Sequence, residues 1–263
     1  CGSGVSSSQV SKATAQLDEK LDQWRNSPLG EIVYLYLDAR YEKVRQDGQI
    51  RDAAVLIAVG VGPDGKRKVL GVSVSLGEQE IHWRAFMESL VKRGLRGVQL
   101  IISDDHAGLK AARQAVFGGL PWQRCQFHLQ QNAQAYIPRK EMQSEVAEDI
   151  RTIFNAPDRH TAERYLAEIV KKYEKSASRL ANWMEQNLPE GLTVFSFPSA
   201  HRRLIRTTNG VERLNREIKR RTRVVGIFPN EAACLRLVSA VLLETSDEWE
   251  AGRVYLSPAL PAS

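Results

Sequence analysis

The stretch Ile32-Val33-Tyr34-Leu35-Tyr36-Leu37-Asp38 decides the fold. An unbroken apolar run of this length reads as a buried strand. A carboxylate at its end needs a reason. The chain repeats the arrangement, because Val98-Gln99-Leu100-Ile101-Ile102-Ser103 runs into Asp104. Open α/β sheets bind ligands beyond the carboxyl ends of parallel strands. Strands ending at Asp38 and Asp104 would do so if they lie side by side. A third acid, Glu212, stands in Thr207-Thr208-Asn209-Gly210-Val211-Glu212-Arg213-Leu214-Asn215, at the start of a very basic helix. Two strand-end aspartates and a helical glutamate could hold two divalent ions over a phosphodiester. Hard cations such as Mg²⁺ prefer oxygen ligands. One ion activates the attacking oxygen and the other stabilises the leaving one.

Outward from these strands the elements alternate. The first strand covers about Glu31 to Asp38 and continues toward Val44; after it come Ala53–Val61, a Pro63-Asp64-Gly65 turn and Val69–Ser75, an antiparallel meander. A helix is expected over Trp83–Lys92, a strand over Val98–Ser103, a helix over Gly108–Val116 and a strand over Trp122–Phe127. The order β-β-β-α-β-α-β is mixed α/β. From Pro138 to Pro198 the pattern is helical, with stripes at Met142, Val146, Ile150 and Ile153 and again from Tyr165 to Tyr173; a strand signal returns only at Val194-Phe195. This reads as an all-helical insertion. Ahead of the sheet, Ser6–Ser8 can cap a helix carrying Val10, Ala13, Leu17, Leu21 and Trp24. An apolar helix, Glu231–Glu244, closes the pattern.

Composition sets the limits. With 263 residues, 43% of them hydrophobic, the chain can bury a core. Its net charge of +6 is concentrated: His201–Arg223 holds nine Lys or Arg against two Glu, an excess of seven. Such a segment reads as a docking surface for phosphates. The candidates are Arg202, Arg203, Arg206, Arg213, Arg216, Lys219, Arg220 and Arg221, of which about half are expected to touch DNA and the rest to be solvated. Three distant cysteines, Cys1, Cys125 and Cys234, suggest a reducing compartment. No apolar run reaches the roughly 18 residues of a membrane span, and no signal peptide is read. A start at Cys1 reads as a cut N-terminus, ahead of a lipid-modified one.

Each candidate has a plainer alternative. Asp38 could be a turn residue ending its strand. Asp104 could cap a helix, and Asp105 competes with it, although Asp104 follows the strand directly. Glu212 could pair with Arg216. Glu217, about 140° round the helix from Glu212, cannot easily face the same site. Cys125-Gln126-Phe127-His128 resembles half a zinc site without its second pair. The better reading is a supporting role, with His128 near the metals; the alternative is a core cysteine and a capping histidine. Trp183 could stack on an unpaired base, but a core role is favoured.

Tyr36-Leu37-Asp38-Ala39-Arg40-Tyr41-Glu42-Lys43-Val44-Arg45, Ser103-Asp104-Asp105-His106-Ala107-Gly108-Leu109, Trp122-Gln123-Arg124-Cys125-Gln126-Phe127-His128 and Thr207–Asn215 form one ordered set. Together they resemble the Mutator-type transposases of bacterial insertion sequences, from about Ser6 to Tyr255. The resemblance implies a ribonuclease-H-like mixed sheet flanked by helices and interrupted by an all-α insertion. It implies an acidic triad of Asp38, Asp104 and Glu212. It further implies that Asp38 would be shared by two Mg²⁺ ions, with Asp104 holding one and Glu212 the other, and Mn²⁺ as a substitute. Cys125 and His128 match the family's Cys-x-x-His signature. Asp104 and Glu212 stand 108 positions apart, and the family's helical insertion accounts for the distance.

The expected divisions are 1–28, a helical remnant of an N-terminal DNA-binding region; 29–137, the first part of the core; 138–200, the insertion; 201–248, the returning basic and apolar helices; and 249–263, a tail. Family members look longer, so the chain is expected to be N-terminally truncated. The implied activity is strand cleavage at element ends followed by 3′-OH strand transfer. The expected partners are double-stranded DNA (terminal inverted repeats and target) and a second copy in an active homodimer, in the bacterial cytoplasm at the nucleoid and away from any membrane. The rivals are a ribonuclease-H-like nuclease or resolvase without strand transfer, and an inactive DNA-binding remnant.

Overall fold

Five strands form one mixed sheet in the order β3-β2-β1-β4-β5. The architecture is that of a computed structural model that describes residues 6–257. The strands are β1 (Tyr34–Gln46), β2 (Gln49–Val61), β3 (Arg67–Ser75), β4 (Leu100–Ser103) and β5 (Trp122–Arg124). The first three form the antiparallel meander, and β4 and β5 add to β1 in parallel. This mixed sheet flanked by helices fits a ribonuclease-H-like fold.

β1 runs past Asp38 as expected, and ends two residues beyond Val44. Asp38 ends the apolar run but not the strand, which continues to Gln46. The reason lies in the hairpin. Asp47 and Gly48 both have positive φ, the two-residue turn whose twist matches its flanking strands. Pairing with β2 therefore holds from Tyr34↔Val61 to Gln46↔Gln49, while pairing with β4 stops at Tyr36↔Ile102. Asp38 sits where β1 loses its parallel neighbour.

The two sheet faces bury different layers. On one, α2 (Glu80–Lys92) and α3 (Ala107–Phe117) set Trp83, Met87, Leu90 and Leu109 against Leu35, Leu37, Leu56 and Ile101. The other face carries Tyr34, Tyr36, Val55, Ile57, Leu100 and Ile102. It is covered by α4 (Gln126–Ala133), α5 (Gln143–Phe154), α6 (Arg159–Tyr173), α7 (Ser178–Asn187), α8 (Ser199–Ile205), α9 (Asn209–Thr222) and α10 (Glu231–Ala251). Residues Pro138–Pro198 contain helices and no strand. Val194-Phe195, expected as a strand, lies in a 3₁₀ turn because the Val194 amide donates to Gln123 Oε1 at 2.7 Å. β5 stops at Arg124, so Gln126 and Phe127, expected on the strand, lie on α4 together with His128. The basic segment forms two helices, α8 and α9, and α10 runs to Ala251, past the expected Glu244.

Helix α1 (Ser7–Arg25) is capped by Ser6 as its sequence suggests. It docks on α10 through buried Leu21, an Asp18–Arg236 ion pair and an Arg25 to Ser239 hydrogen bond of 2.8 Å. Val10 and Leu17 stay exposed. The segment after α10 folds back on the meander: Tyr255 and Leu256 donate to the Gly65 carbonyl at 2.9 and 3.0 Å. Gly65 has φ +75, and a Cβ there would meet the Leu256 carbonyl oxygen at 1.8 Å. Only glycine suits both the turn and this close approach.

Candidate active site

The register brings the first two acids together. Tyr36 and Ile102 are the last parallel partners and face the same core layer. Asp38 and Asp104 each stand two residues further along. With side chains alternating, both return to the face of Tyr36 and Ile102 at the same level. Adjacent strands lie about 4.8 Å apart. A cavity of about 150 Å³ beyond the strand ends is lined by Asp38, Asp104, Glu78, His106 and His128, with Leu37, Ala39 and Leu109 as its apolar walls.

The third acid arrives on α9, which buries Val211, Leu214 and Ile218 and leaves Glu212 and Asn215 on its flank. Asn215 donates to Asp38 Oδ2 at 2.8 Å. Arg40 donates to the Asn215 carbonyl and pairs with Glu42 at 2.5 Å, and the Thr222 hydroxyl donates to Glu42 at 3.0 Å. Alternate residues of β1 thus pin α9 along its length. The second anchor is Cys125, whose buried sulfur accepts from the Thr208 amide and hydroxyl at 3.4 and 3.5 Å. The Gln126 amide donates to the Arg206 carbonyl at 3.0 Å. Since Thr208 precedes α9, the Cys125 turn fixes the helical turn that carries Glu212.

The electrostatics reflect this crowding. Burial raises the Asp38 carboxyl to about 7; His128 and the Ala39 amide oppose the rise, while Glu212 and Asp104 add to it. The Cys125 sulfur and the carboxylates of Asp104 and Asp38 raise His128 to about 9 against its own desolvation. Burial disfavours a Cys125 thiolate, yet His128 and Thr208 draw the thiol below its ordinary value. His128 Nδ1 stands 3.9 Å from Asp104 Oδ1, too far for a hydrogen bond.

Among the described residues, no three His, Cys, Asp or Glu side chains lie close enough to share a metal ion as placed. The donor chemistry nevertheless fits a hard cation. Asp104 Oδ1 and Glu212 Oε1 are buried and have no hydrogen-bond partner. Leaving a buried acceptor unpaired costs about 1–3 kcal/mol, more if charged, and a divalent ion would satisfy both. Asp38, Asp104 and Glu212 are the residues that could hold it.

The competing acids are engaged elsewhere. Asp105 pairs with Arg124 at 3.0 Å and Lys110 at 3.1 Å, and Glu190 joins the same two cations. Glu217 pairs with Arg220 and Arg221, which hold its carboxyl down at about 2. Of the basic candidates, Arg202 donates to the carbonyls of Pro157, Phe195 and Phe197, and Arg206 to Asn155 Oδ1 at 2.8 Å. Arg203, Arg213, Arg216 and Lys219 are exposed and make no side-chain hydrogen bond or ion pair among the described residues. Trp183 is buried and stacked on Tyr136, with ring centroids 5.3 Å apart, so no base reaches it.

Sequence reasoning missed Asn215, Arg40 and Glu78. The first two act across about 175 positions. Glu78 lines the cavity with its oxygen 3.6 Å from His106 Nδ1 and 3.4 Å from Trp83 Nε1. A Cβ on Gly108 would meet the Glu78 carbonyl at 2.0 Å. That glycine in Asp104-Asp105-His106-Ala107-Gly108 was the available signal of a close backbone approach. Cys1 lies outside the described residues, among which no helix is long and apolar enough to cross a membrane.

A family model described as "Transposase, Mutator family" matches residues 1–252. The transposase for insertion sequence element IS406 of Burkholderia multivorans is 61% identical over 253 residues, which cover 96% of this chain and 65% of that protein. The transposase for ISRM5 of Rhizobium meliloti is 42% identical, with 98% and 65% covered. The transposase for IS256 in transposon Tn4001 of Staphylococcus aureus is 36% identical, with 95% and 64% covered. The chain thus spans a little less than two thirds of the length of these relatives.

Proposed function

The chain belongs to the Mutator family of transposases, and on that premise we propose that it carries the chemistry of a DNA transposase. It cleaves one DNA strand at the ends of an insertion sequence and transfers the freed 3′-OH to target DNA. The observation that supports this most is the level placement of Asp38 and Asp104, with Asn215 tying α9 to Asp38.

Asp38, Asp104 and Glu212 would hold two Mg²⁺ ions, with Mn²⁺ as a substitute. Bound there, such ions supply Lewis-acid stabilisation of phosphate oxygens and lower the pKa of an attacking water. The chain's own groups do the rest. Asn215 and the Ala39 amide orient the Asp38 carboxylate. Cys125 positions the first turn of α9 through Thr208. His128, in surroundings that favour its protonated ring, keeps a proton beside Asp104. Arg203, Arg213, Arg216 and Lys219 meet backbone phosphates.

In the first step a water oxygen attacks the phosphorus, the bond to the 3′ oxygen breaks, and that oxygen leaves as a hydroxyl with the water's proton. In the second, this 3′-OH attacks another phosphodiester and displaces a target 3′ oxygen, which takes up the proton. The substrates are the terminal inverted repeats and a target duplex, engaged by a homodimer in the bacterial cytoplasm at the nucleoid. Residues 138–200 are an insertion in the catalytic core, and residues 1–28 are part of a DNA-binding region.

The test supplies the chain with Mg²⁺, a duplex ending in a terminal repeat with a free 3′-OH, and a supercoiled plasmid. Joining of the duplex to the plasmid is expected. Hydrolysis without joining would assign a nuclease or resolvase, and binding with neither reaction an inactive remnant.

A further inference from the structure

A second cavity lies against α4 and the start of α9, lined by Phe127, the chain neighbour of His128. It has a volume of about 190 Å³. Ligand pockets for drug-sized molecules run from roughly 300 to 1,000 Å³, so this one suits a single planar ring system. Phe127 forms one wall and is 42% exposed, an unusual position for a large aromatic ring beside a charged site. Its ring meets that of His128 edge-on, with centroids 5.6 Å apart.

Phe154 is the other apolar residue of the lining; the rest is polar, and no carboxylate belongs to it. Gln126 donates to the Gly191 carbonyl at 2.9 Å, which leaves its amide oxygen for another partner. The Asn209 side chain makes no hydrogen bond among the described residues. Asn209 stands one helical turn before Glu212 on α9. Arg151 and Arg206 complete the wall. Arg206 has a neutral partner, Asn155 Oδ1, and no acid; burial and neighbouring Arg203 push its guanidinium below the ordinary range. The site therefore combines an aromatic face, amides with unused donors and acceptors, and cations awaiting an anion.

That combination matches a nucleotide. Aromatic faces stack on unpaired bases, amide side chains pair with base edges, and arginines meet the phosphate. Location narrows the ligand further. Phe127 adjoins a residue of the acid cavity, and Asn209 lies about 4.5 Å along the helix axis from Glu212. A strand with its phosphate at the acids would bring the adjoining nucleotide here.

We infer that the cavity between Phe127 and Asn209 receives one unpaired base of the DNA strand that lies at Asp38, Asp104 and Glu212. This rests on the DNA-acting reading above. The base leaves its stack and lies against Phe127, while Arg151 and Arg206 hold the phosphate beside it. Base-extruding enzymes recover the unstacking energy in the same way.

The test compares two duplexes of one sequence, one fully paired and one with a single bulged adenine, by fluorescence anisotropy without divalent metal. The unsubstituted chain should bind the bulged duplex about tenfold more tightly, as expected for roughly 1–3 kcal/mol of stacking. Phe127→Ala should bring the ratio near one, and Phe127→Tyr should keep it. If Phe127→Ala also loses the paired duplex, the exposed Asn209→Ala decides: a ratio lowered severalfold supports the pocket, and an unchanged ratio overturns it. Equal affinity of the unsubstituted chain for both duplexes would overturn the pocket alone. Failure to bind either duplex would overturn the DNA-acting reading as well.

Discussion

Helices α8 and α9 come from one basic run, yet Arg202 of α8 and the outward cations Arg213, Arg216 and Lys219 of α9 use their charge in opposite ways. On α8, Arg202 binds three backbone carbonyls of the preceding segment and lies 5.3 Å from the Phe195 ring centre. On α9, the inward flank is pinned to β1 by Asn215 and Thr222, while Arg213, Arg216 and Lys219 project outward without partners among the described residues. Counting cations finds both helices alike. Only their neighbours separate an arginine that holds the fold from one left for a ligand.

That contrast can be broken by substitution. The largest effect is expected from Arg213→Ala, Arg216→Ala and Lys219→Ala together. DNA affinity should fall about a hundredfold at low salt. The slope of log affinity against log salt should shrink by about two to three, near 0.9 for each phosphate no longer neutralised. The melting temperature should barely move. Anisotropy titrations over a salt series check this, and an unchanged slope would mean α9 is an ordinary solvated face. Arg202→Ala should do the reverse. Loss of three charged hydrogen bonds, two of them part-buried, should cost about 2–3 kcal/mol, lowering the melting temperature by about 4–12 °C for a chain of this size. DNA affinity of the folded protein should change less than about threefold. Calorimetry and the same titrations check it, and a stable variant with weak binding would place Arg202 on the DNA side of the comparison.

The same contrast explains what the sequence made legible. β1 and β4 stood out because strands covered on both sides read as continuous apolar runs. Their order and the helical stretch at Pro138–Pro198 followed from local pattern. The continuation of β1 past Asp38 toward Val44 was legible, and Asp47-Gly48 is the hairpin signal that sets its end. The end of β5 was not readable: Cys125 completes the ladder through the Ser103 carbonyl, and the chain turns helical immediately afterwards. The break between α8 and α9 was also hidden, since Arg206 and Thr208 are held there by Gln126 and Cys125, some 80 positions away. At the site, residue types announced the acids, but Asn215, Arg40 and Glu78 owe their place to tertiary packing that no local period encodes.

The central claim is that Asp104, level with Asp38, belongs to the reacting centre, whereas adjacent Asp105 belongs to the Arg124 cluster. The most direct measurement is the Mg²⁺-dependent rate of strand joining by Asp104→Asn and Asp105→Asn, at a temperature where both are folded. Asp104→Asn should lose about a thousandfold, as when several kcal/mol of transition-state stabilisation are removed, and Asp105→Asn should stay within about tenfold of the unsubstituted chain. Retained joining by Asp104→Asn, or the reverse ranking of the two, would contradict the account.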